Sequence, residues 1–225
     1  MSAVASRKVD AVIFDLDGTL VDSIERITEG TNYSLRNLKR AEVTAEHLAT
    51  FIGKGVIHLF RSVLGEDAAE SVINRAVELK KEFELTHHES KIKTFDGVGD
   101  LVRTLKKAGL KLAVLSNKDE EVVKNAVNRS KDLEGMFEIV AGARDDKPLK
   151  PDATVPKELA KSLGVAEERC AYIGDTDVDM MTGKNAGMYT IGVTWGFRTE
   201  EELRSLEPDG IVYRANDIAN LLLHQ

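Results

Sequence analysis

Two carboxylates, Asp15 and Asp17, stand at the end of an apolar run and just ahead of Gly18-Thr19. The run, Val12-Ile13-Phe14, reads as a buried strand, in which alternate side chains share a face. As that strand ends, both acids can converge on one point, beside a glycine that lets the backbone turn tightly. One acid can then attack while the other handles protons, with a divalent cation to keep both from repelling an anionic substrate. An Asp-Gly turn after a strand is also common without chemistry, so the other clusters decide between these readings.

Three further clusters follow apolar runs. Leu110 to Lys118 ends in Ser116-Asn117-Lys118. This hydroxyl, amide and ammonium at a strand terminus can meet phosphate oxygens, although Lys118 can also pair with the acids that follow it, Asp119-Glu120-Glu121, which suit a helix's first turn. In Lys147-Pro-Leu-Lys150-Pro151-Asp152 the proline biases Lys150 toward an extended backbone. A lysine so placed can be aimed inward as a point charge against phosphate; Lys147 reads as an exposed basic turn. In the last cluster a buried run ends at Gly174, and Asp175, Asp177 and Asp179 precede a helix. Asp175 is placed to ligate a hard cation through oxygen, as Mg²⁺ prefers. Asp179, four residues on, can support it from one turn along the same face, while Asp177 faces solvent or caps the helix.

The elements that must carry these groups alternate. Apolar runs at 9–14, 110–115, 137–141, 169–173, 188–193 and 210–213 are interleaved with helical patterns near 97–108, 119–129, 154–163, 177–186, 199–206 and 215–223. That rhythm predicts an α/β fold, a doubly wound, mostly parallel, Rossmann-like sheet. Ligands bind at the carboxyl ends of such strands, near a topological switch point, where Asp15, Ser116 and Asp175 would fall. Residues 20–91 break the rhythm with helical patterns and breaks near 43–44, 53–55 and 65–67. Val72, Ala76, Leu79 and Phe83 form one stripe at helical spacing. The expectation is a helical cap inserted after the first strand, hinged at 18–23 and 91–97, with residues 1–19 and 92–225 forming the core. The alternative is that these helices simply pack on one face of the sheet.

Composition bounds the function. The net charge of −7 argues against nucleic-acid binding and requires local positive charge for an anionic substrate. The lone Cys170 excludes an intrachain disulfide; it suits a reducing compartment and reads as core filler. With no signal-peptide pattern and no apolar run long enough to span a membrane, the expectation is a cytoplasmic enzyme, monomer or homodimer, without membrane or nucleic-acid partners.

Taken together, these motifs resemble those of the haloacid dehalogenase superfamily, and within it the helical-cap phosphatases of the phosphoglycolate phosphatase group. The four motifs occur in order: Asp15-Leu-Asp17-Gly-Thr19, Ser116-Asn117, Lys150-Pro-Asp and Gly174-Asp175-Thr-Asp-Val-Asp179. Asp17 sets the chain apart from the dehalogenases, which lack a second aspartate there. The resemblance implies that Asp15 is the nucleophile that becomes an aspartyl-phosphate. It makes Asp17 the proton donor to the leaving alkoxide and then the activator of water. Thr19, Ser116 and Asn117 would hold phosphoryl oxygens and Lys150 would balance charge. Mg²⁺ would bind the Asp15 carboxylate, the Asp17 carbonyl and Asp175, supported by Asp179. The chain departs from the pattern at Ala153 and Asp96, where many relatives carry proline; neither is a reacting group, and Asp96 is expected still to end the hinge and cap the helix that follows.

In this architecture the cap selects the leaving group. Gly53-Lys54-Gly55 opens a helix, and a lysine there suits an anion, so Lys54 is expected to sense the charge of a small phosphorylated acid, phosphoglycolate being the best single choice. A plain loop between cap helices is the competing reading. His58, His87 and His88 receive no role. The competing functions are a phosphosugar mutase of the same superfamily and a catalytically silent module that senses a phosphorylated ligand.

Overall fold

A computed structural model describes residues 8–87 and 93–223. The chain enters the sheet at once through β1 (Ala11–Phe14), then leaves it through the short β2 (Val21–Asp22). Four helices follow: α1 (Ile24–Asn37), α2 (Ala45–Ala49), α3 (Val56–Leu64) and α4 (Glu70–Thr86). The return strand β3 (Lys93–Thr94) pairs antiparallel with β2, Val21 opposite Thr94, so this two-stranded ribbon joins the excursion to the rest. The expected breaks fall between helices; part of the expected second hinge, residues 91 and 92, lies outside the described residues, as does His88.

The remainder alternates as expected. In chain order come α5 (Val98–Lys107), β4 (Lys111–Asp119), α6 (Glu120–Arg129), β5 (Ile139–Ala143) and α7 (Thr154–Leu163). They are followed by β6 (Cys170–Gly174), α8 (Asp177–Ala186), β7 (Tyr189–Val193), α9 (Glu200–Ser205), β8 (Gly210–Val212) and α10 (Ala215–Leu223). The sheet order is β5-β4-β1-β6-β7-β8, and every pair in it is parallel. From β1 the chain builds outward to β4 and β5, then crosses back to begin again at β6. The switch point is therefore the seam between β1 and β6, where the carboxyl ends leave a crevice.

Period-two alternation explains the layers. Val12 and Phe14 of β1 face a core shared with Leu101 and Leu105 of α5, Val123 of α6 and Ile218 of α10. Ala11 and Ile13 face the opposite core, with Leu159 and Leu163 of α7 and Met188. Cys170 and Tyr172 of β6 join this second core; burial raises the Cys170 thiol to about 11, which fits core filler and not a nucleophile. The inserted helices hold separate small cores, one built on Ile27, Leu48, Ile52 and Leu59 and another on Phe60, Ile73 and Ala76.

Two local expectations are corrected. The buried stripe of α4 runs through Ile73, Ala76, Leu79, Lys80, Phe83 and Glu84, one residue off at its start, with Val72 only half-buried. Asp96 does not cap α5; Gly97, in the left-handed region at φ 80°, takes the capping position. No helix among the described residues is long and apolar enough to cross a membrane.

Candidate active site

The carboxyl ends of β1, β4 and β6 bring the motif residues together. Asp15 follows the last residue of β1, its amide donating to the Ile173 carbonyl of β6 at 2.8 Å. Lys150 reaches it across 135 residues of chain: its Nζ lies 2.6 Å from Asp15 Oδ1 and 2.8 Å from Asp179 Oδ1. The Lys150–Pro151 peptide is cis. Lys150, Asp15 and Asp179 are all buried, so the lysine is a fixed charge bridging two acids and not a surface ion pair.

Each acid is oriented by a different neighbour. Thr176 begins α8 with a capping box: its hydroxyl donates to Asp179 Oδ2 at 2.6 Å and its amide does so at 3.1 Å. With Lys150 and the Tyr172 hydroxyl on Oδ1, both oxygens of Asp179 are engaged. Asp175 accepts from the Thr19 hydroxyl at 2.9 Å and from the Phe197 amide at 2.7 Å. The backbone wraps it closely. A Cβ at Gly18 would stand 2.3 Å from Asp175 Oδ2, and one at Gly196 2.2 Å, so only glycine fits at either place.

This crowding has an electrostatic consequence. Burial first, then Asp179, raises Asp175 to about 7, against the backbone amide of Phe197 and the Thr19 hydroxyl, which lower it. Asp15 is raised by burial, opposed by Lys150 and raised further by Asp179 and Asp175. Burial disfavours the charge on Lys150, yet Asp15 and Asp179 outweigh it and keep the ammonium protonated. Three acids around one ammonium carry two negative charges in excess when all are ionised. Oxygens of Asp15, Asp175 and Asp179 lie within 4.8 Å of one another. An all-oxygen donor set with that excess charge fits a hard divalent cation such as Mg²⁺. Because Asp179 is already saturated by donors, Asp15 and Asp175 are the acids with capacity to spare.

A pocket opens over these groups. It is lined from the sheet side by Asp15, Asp17, Ser116, Asn117, Lys118 and Lys150, and from the inserted helices by apolar Ile27, Phe51, Ile52, Val56 and Leu59, with Lys80. Ser116 Oγ accepts from the Lys118 amide at 3.3 Å, which leaves its proton free for a ligand oxygen. Asn117 is spent differently from its sequence expectation. Its amide nitrogen donates to the carbonyls of Gly53 and Lys150, and its oxygen accepts from the Lys150 amide. It holds the Lys150 segment in place instead of pointing an amide at a phosphoryl group. Thr19 likewise gives its hydroxyl to Asp175.

Lys54 stands apart from the pocket lining. Its side chain is 48% exposed and its Nζ is 3.7 Å from Asp177 Oδ2, because the turn that carries it packs its glycines, not its lysine, against the core. A Cβ at Gly53 would meet Thr176 and one at Gly55 would meet Leu149. Asp177, expected in solvent or at the cap, is paired with both Lys54 and Arg198.

Of three further residues near the site, Lys80 and Glu84 carry no expectation from the sequence, and Arg198 belongs to the segment after a strand end that reads either as the rim of the site or as buried against the sheet. Arg198, after β7, donates to the carbonyls of Ala49 and Ile52 at 3.0 and 2.9 Å and so ties the core to the inserted helices. Lys80 and Glu84 of α4 form a buried i,i+4 ion pair, and Lys118 lies 3.4 Å from both Glu84 and Asp17. A stripe of α4 that passes through a lysine and a glutamate at apolar spacing was the available signal. Burial opposes ionisation of Glu84, but Lys118 and Lys80 prevail and hold its carboxyl at about 2. A folded value below the unfolded one means stability that is complete above about pH 4.5 and lost as pH falls toward 2, on the order of 3 kcal/mol. Acid unfolding of Glu84→Gln should lack this component; superimposable acid limbs for the two proteins would refute it.

The parallel sheet with its acid cluster at the switch point defines an α/β protein whose strand ends suit an anionic group and a hard cation. Residues 12–193 match the model of the haloacid dehalogenase-like hydrolase family, and the chain belongs to that family, among its phosphatases. It is 32% identical over 211 residues to a phosphoglycolate phosphatase of Aquifex aeolicus, covering 94% of this chain and 95% of that one. It is 28% identical over 214 residues to the pyrophosphatase PpaX of Anoxybacillus flavithermus, covering 95% and 97%. A crystallised candidate phosphoglycolate phosphatase of Lactobacillus delbrueckii superposes with a TM-score of 0.89 at 30% identity, covering 97% of this chain and 100% of that one.

Proposed function

We propose that the protein is a magnesium-dependent phosphatase of small phosphorylated metabolites, working through an aspartyl-phosphate, with phosphoglycolate as the best single substrate. The observation that carries this reading is Lys150 held between Asp15 and Asp179 beneath a pocket that also presents Asp17 and Ser116. In the first half-reaction a carboxylate oxygen of Asp15 forms a bond to phosphorus as the ester P–O bond breaks, and Asp17 gives its proton to the departing alkoxide. In the second, water gives a proton back to Asp17 as its oxygen attacks the acyl phosphate, releasing inorganic phosphate and restoring Asp15. Ser116 donates to a phosphoryl oxygen, and Lys150 offsets charge between nucleophile and phosphoryl group, the positioning strategy of phosphoryl transfer. Thr19 and Asn117 act one step back, on Asp175 and on the Lys150 segment. The cation would be held by Asp15, Asp175 and the Asp17 carbonyl, with Asp179 in support, and when bound it supplies neutralisation of phosphoryl charge.

In this reading residues 1–19 and 92–225 are the catalytic core and 20–91 the cap. The cap contributes mainly apolar walls and one buried ammonium, Lys80, which suits a small anionic leaving group better than a neutral sugar. The three lysines 80, 118 and 150 around one pocket also favour pyrophosphate as a second candidate. Nothing in the pocket calls for a macromolecular substrate, and a cytoplasmic site of action fits a metabolite hydrolase.

A panel of phosphate esters and pyrophosphate, assayed for phosphate release by the full chain, tests the proposal. Activity is expected with Mg²⁺ and abolished by chelation. Ca²⁺ alone should sustain less than about a tenth of the Mg²⁺ rate, because the larger ion tolerates looser geometry. Full activity in Ca²⁺, or indifference to chelator, would count against the acid cluster as a magnesium site.

A further inference from the structure

One buried carboxylate has no part in the chemistry above. Glu84 belongs to α4, within the inserted helices, and its side chain is 4% exposed. It ion-pairs with Lys80 one turn back on the same helix, and the same oxygen lies 3.4 Å from Lys118 Nζ on β4 of the core. Lys118 in turn stands 3.4 Å from Asp17 Oδ1. Charges therefore alternate along Lys80, Glu84, Lys118 and Asp17, from an inserted helix to the group read as the acid of the reaction. Lys118 and Asp17 line both the site pocket and a second cavity, which Glu84, Arg26, Ser23 and Ala126 also border. The pair is thus the partition between the two cavities, and Glu84 backs it from behind.

A lysine is a point charge on a flexible four-carbon stem, and a single acceptor leaves it free to swing. Two acceptors on different elements fix it. Lys118 has Asp17 on the core side and Glu84 on the α4 side, so its position, and the contact it makes with the Asp17 carboxyl, depend on where α4 sits. The other ion pairs that dock α4 are of a different kind. Lys81 meets Asp119 at 2.9 Å and Glu121 at 3.3 Å with its side chain 41% exposed, and these contacts do not line the site pocket.

We infer that Glu84 is a positioning residue for the phosphatase reaction: from the inserted helix it holds Lys118 against Asp17, so that the Asp17 carboxyl is aimed at the leaving oxygen only while α4 is seated on the core. The device links closure over the pocket to readiness of the proton donor, and it excludes proton delivery while the pocket stands open. It rests on the reading of Asp17 as proton donor.

The test compares two esters in Mg²⁺. From phosphoglycolate the glycolate leaves as an alkoxide and needs a proton; from p-nitrophenyl phosphate the nitrophenol leaves as a stable phenolate and needs little help. Glu84→Gln keeps the size of the side chain and one acceptor oxygen and removes its charge. Its rate of phosphoenzyme formation in a single turnover, a step free of the aspartyl-phosphate hydrolysis that both esters share, is expected to fall about 30-fold on phosphoglycolate and only about threefold on the aryl ester, part of the range that a positioned proton donor contributes. Glu84→Asp, which restores the charge on a shorter stem, should bring the ratio of the two rates back to within about threefold of wild type. Equal losses on both esters would make Glu84 a support of the fold and overturn the inference, as would unchanged rates on both. Should Glu84→Gln not fold, Lys118→Gln carries the same comparison: a widened ratio supports the inference and equal losses overturn it. Should phosphoglycolate not be turned over, the fastest alkyl ester of the panel takes its place; wild-type protein inert toward the whole panel, or an Asp15→Asn variant as active as wild type, sinks the phosphatase reading itself and withdraws the inference with it.

Discussion

Asp15→Asn is expected to end turnover, lowering kcat by at least about 10⁴-fold as loss of a nucleophile does elsewhere, while the protein stays folded. The amide keeps the shape of the carboxyl but has no charge with which to attack phosphorus. The fold should tolerate it well. Burial and the neighbouring acids Asp179 and Asp175 already disfavour the ionised form of Asp15, and Lys150 keeps its contact with Asp179 at 2.8 Å. Removing one of three crowded acids should leave metal-free stability within about 1 kcal/mol of wild type, or raise it. Phosphate release and urea denaturation of the same preparation check both halves. Turnover within a factor of ten of wild type would contradict covalent catalysis at this residue, and a collapsed fold would contradict the account of its surroundings.

Lys150→Met should have the opposite balance, damaging both stability and rate. The ammonium bridges two buried carboxylates, and taking it away leaves them facing each other with no counter-charge. Breaking a buried pair from one side costs about 3–5 kcal/mol, and the loss should appear as a shifted urea midpoint with an unchanged slope. The rate should fall about 10²–10³-fold, the usual loss when one fixed donor to developing charge is removed. Added Mg²⁺ should stabilise the variant more than it stabilises wild type, since the cation then meets a larger excess of negative charge. Lys150→Arg should not rescue it: a planar fork cannot replace a compact ammonium between two acids in so small a space. A variant as stable as wild type without metal would show that the bridge holds nothing together.

These two residues also mark what can be read from a linear chain. Asp15 and Lys150 are identifiable because each sits at a place where local rules act alone. An apolar run dictates a strand, the strand's end dictates where the acid emerges, and proline dictates an extended approach for the lysine. The same rules placed strands and helices within a few residues of where they lie, and the α/β class with its switch-point crevice followed from their alternation. The strand at 110–115 ran on to Asp119, since pairing with Ala143 of β5 recruits the polar end across a register shift.

The errors arose where a side chain's partner comes from a distant segment. Asn117 looks like a phosphate donor until the Lys150 segment, 33 residues away, takes both ends of its amide. Lys54 looks like the charge sensor because a glycine-flanked lysine at a helix start favours anions, but docking turns the glycines inward and the lysine out. Lys80 and Glu84 look like ordinary members of a charged helix surface. They become the charged part of the buried face because they lie beside the apolar stripe at helical spacing and packing sets Glu84 beside Lys118. By itself the sequence determined the element order, the acids at the strand ends and the lysine aimed at them, all consequences of backbone periodicity and turn chemistry. Tertiary structure alone decided which cation faces the pocket and which polar groups are already satisfied, because a buried charge is placed by whatever opposite charge the packing brings within reach.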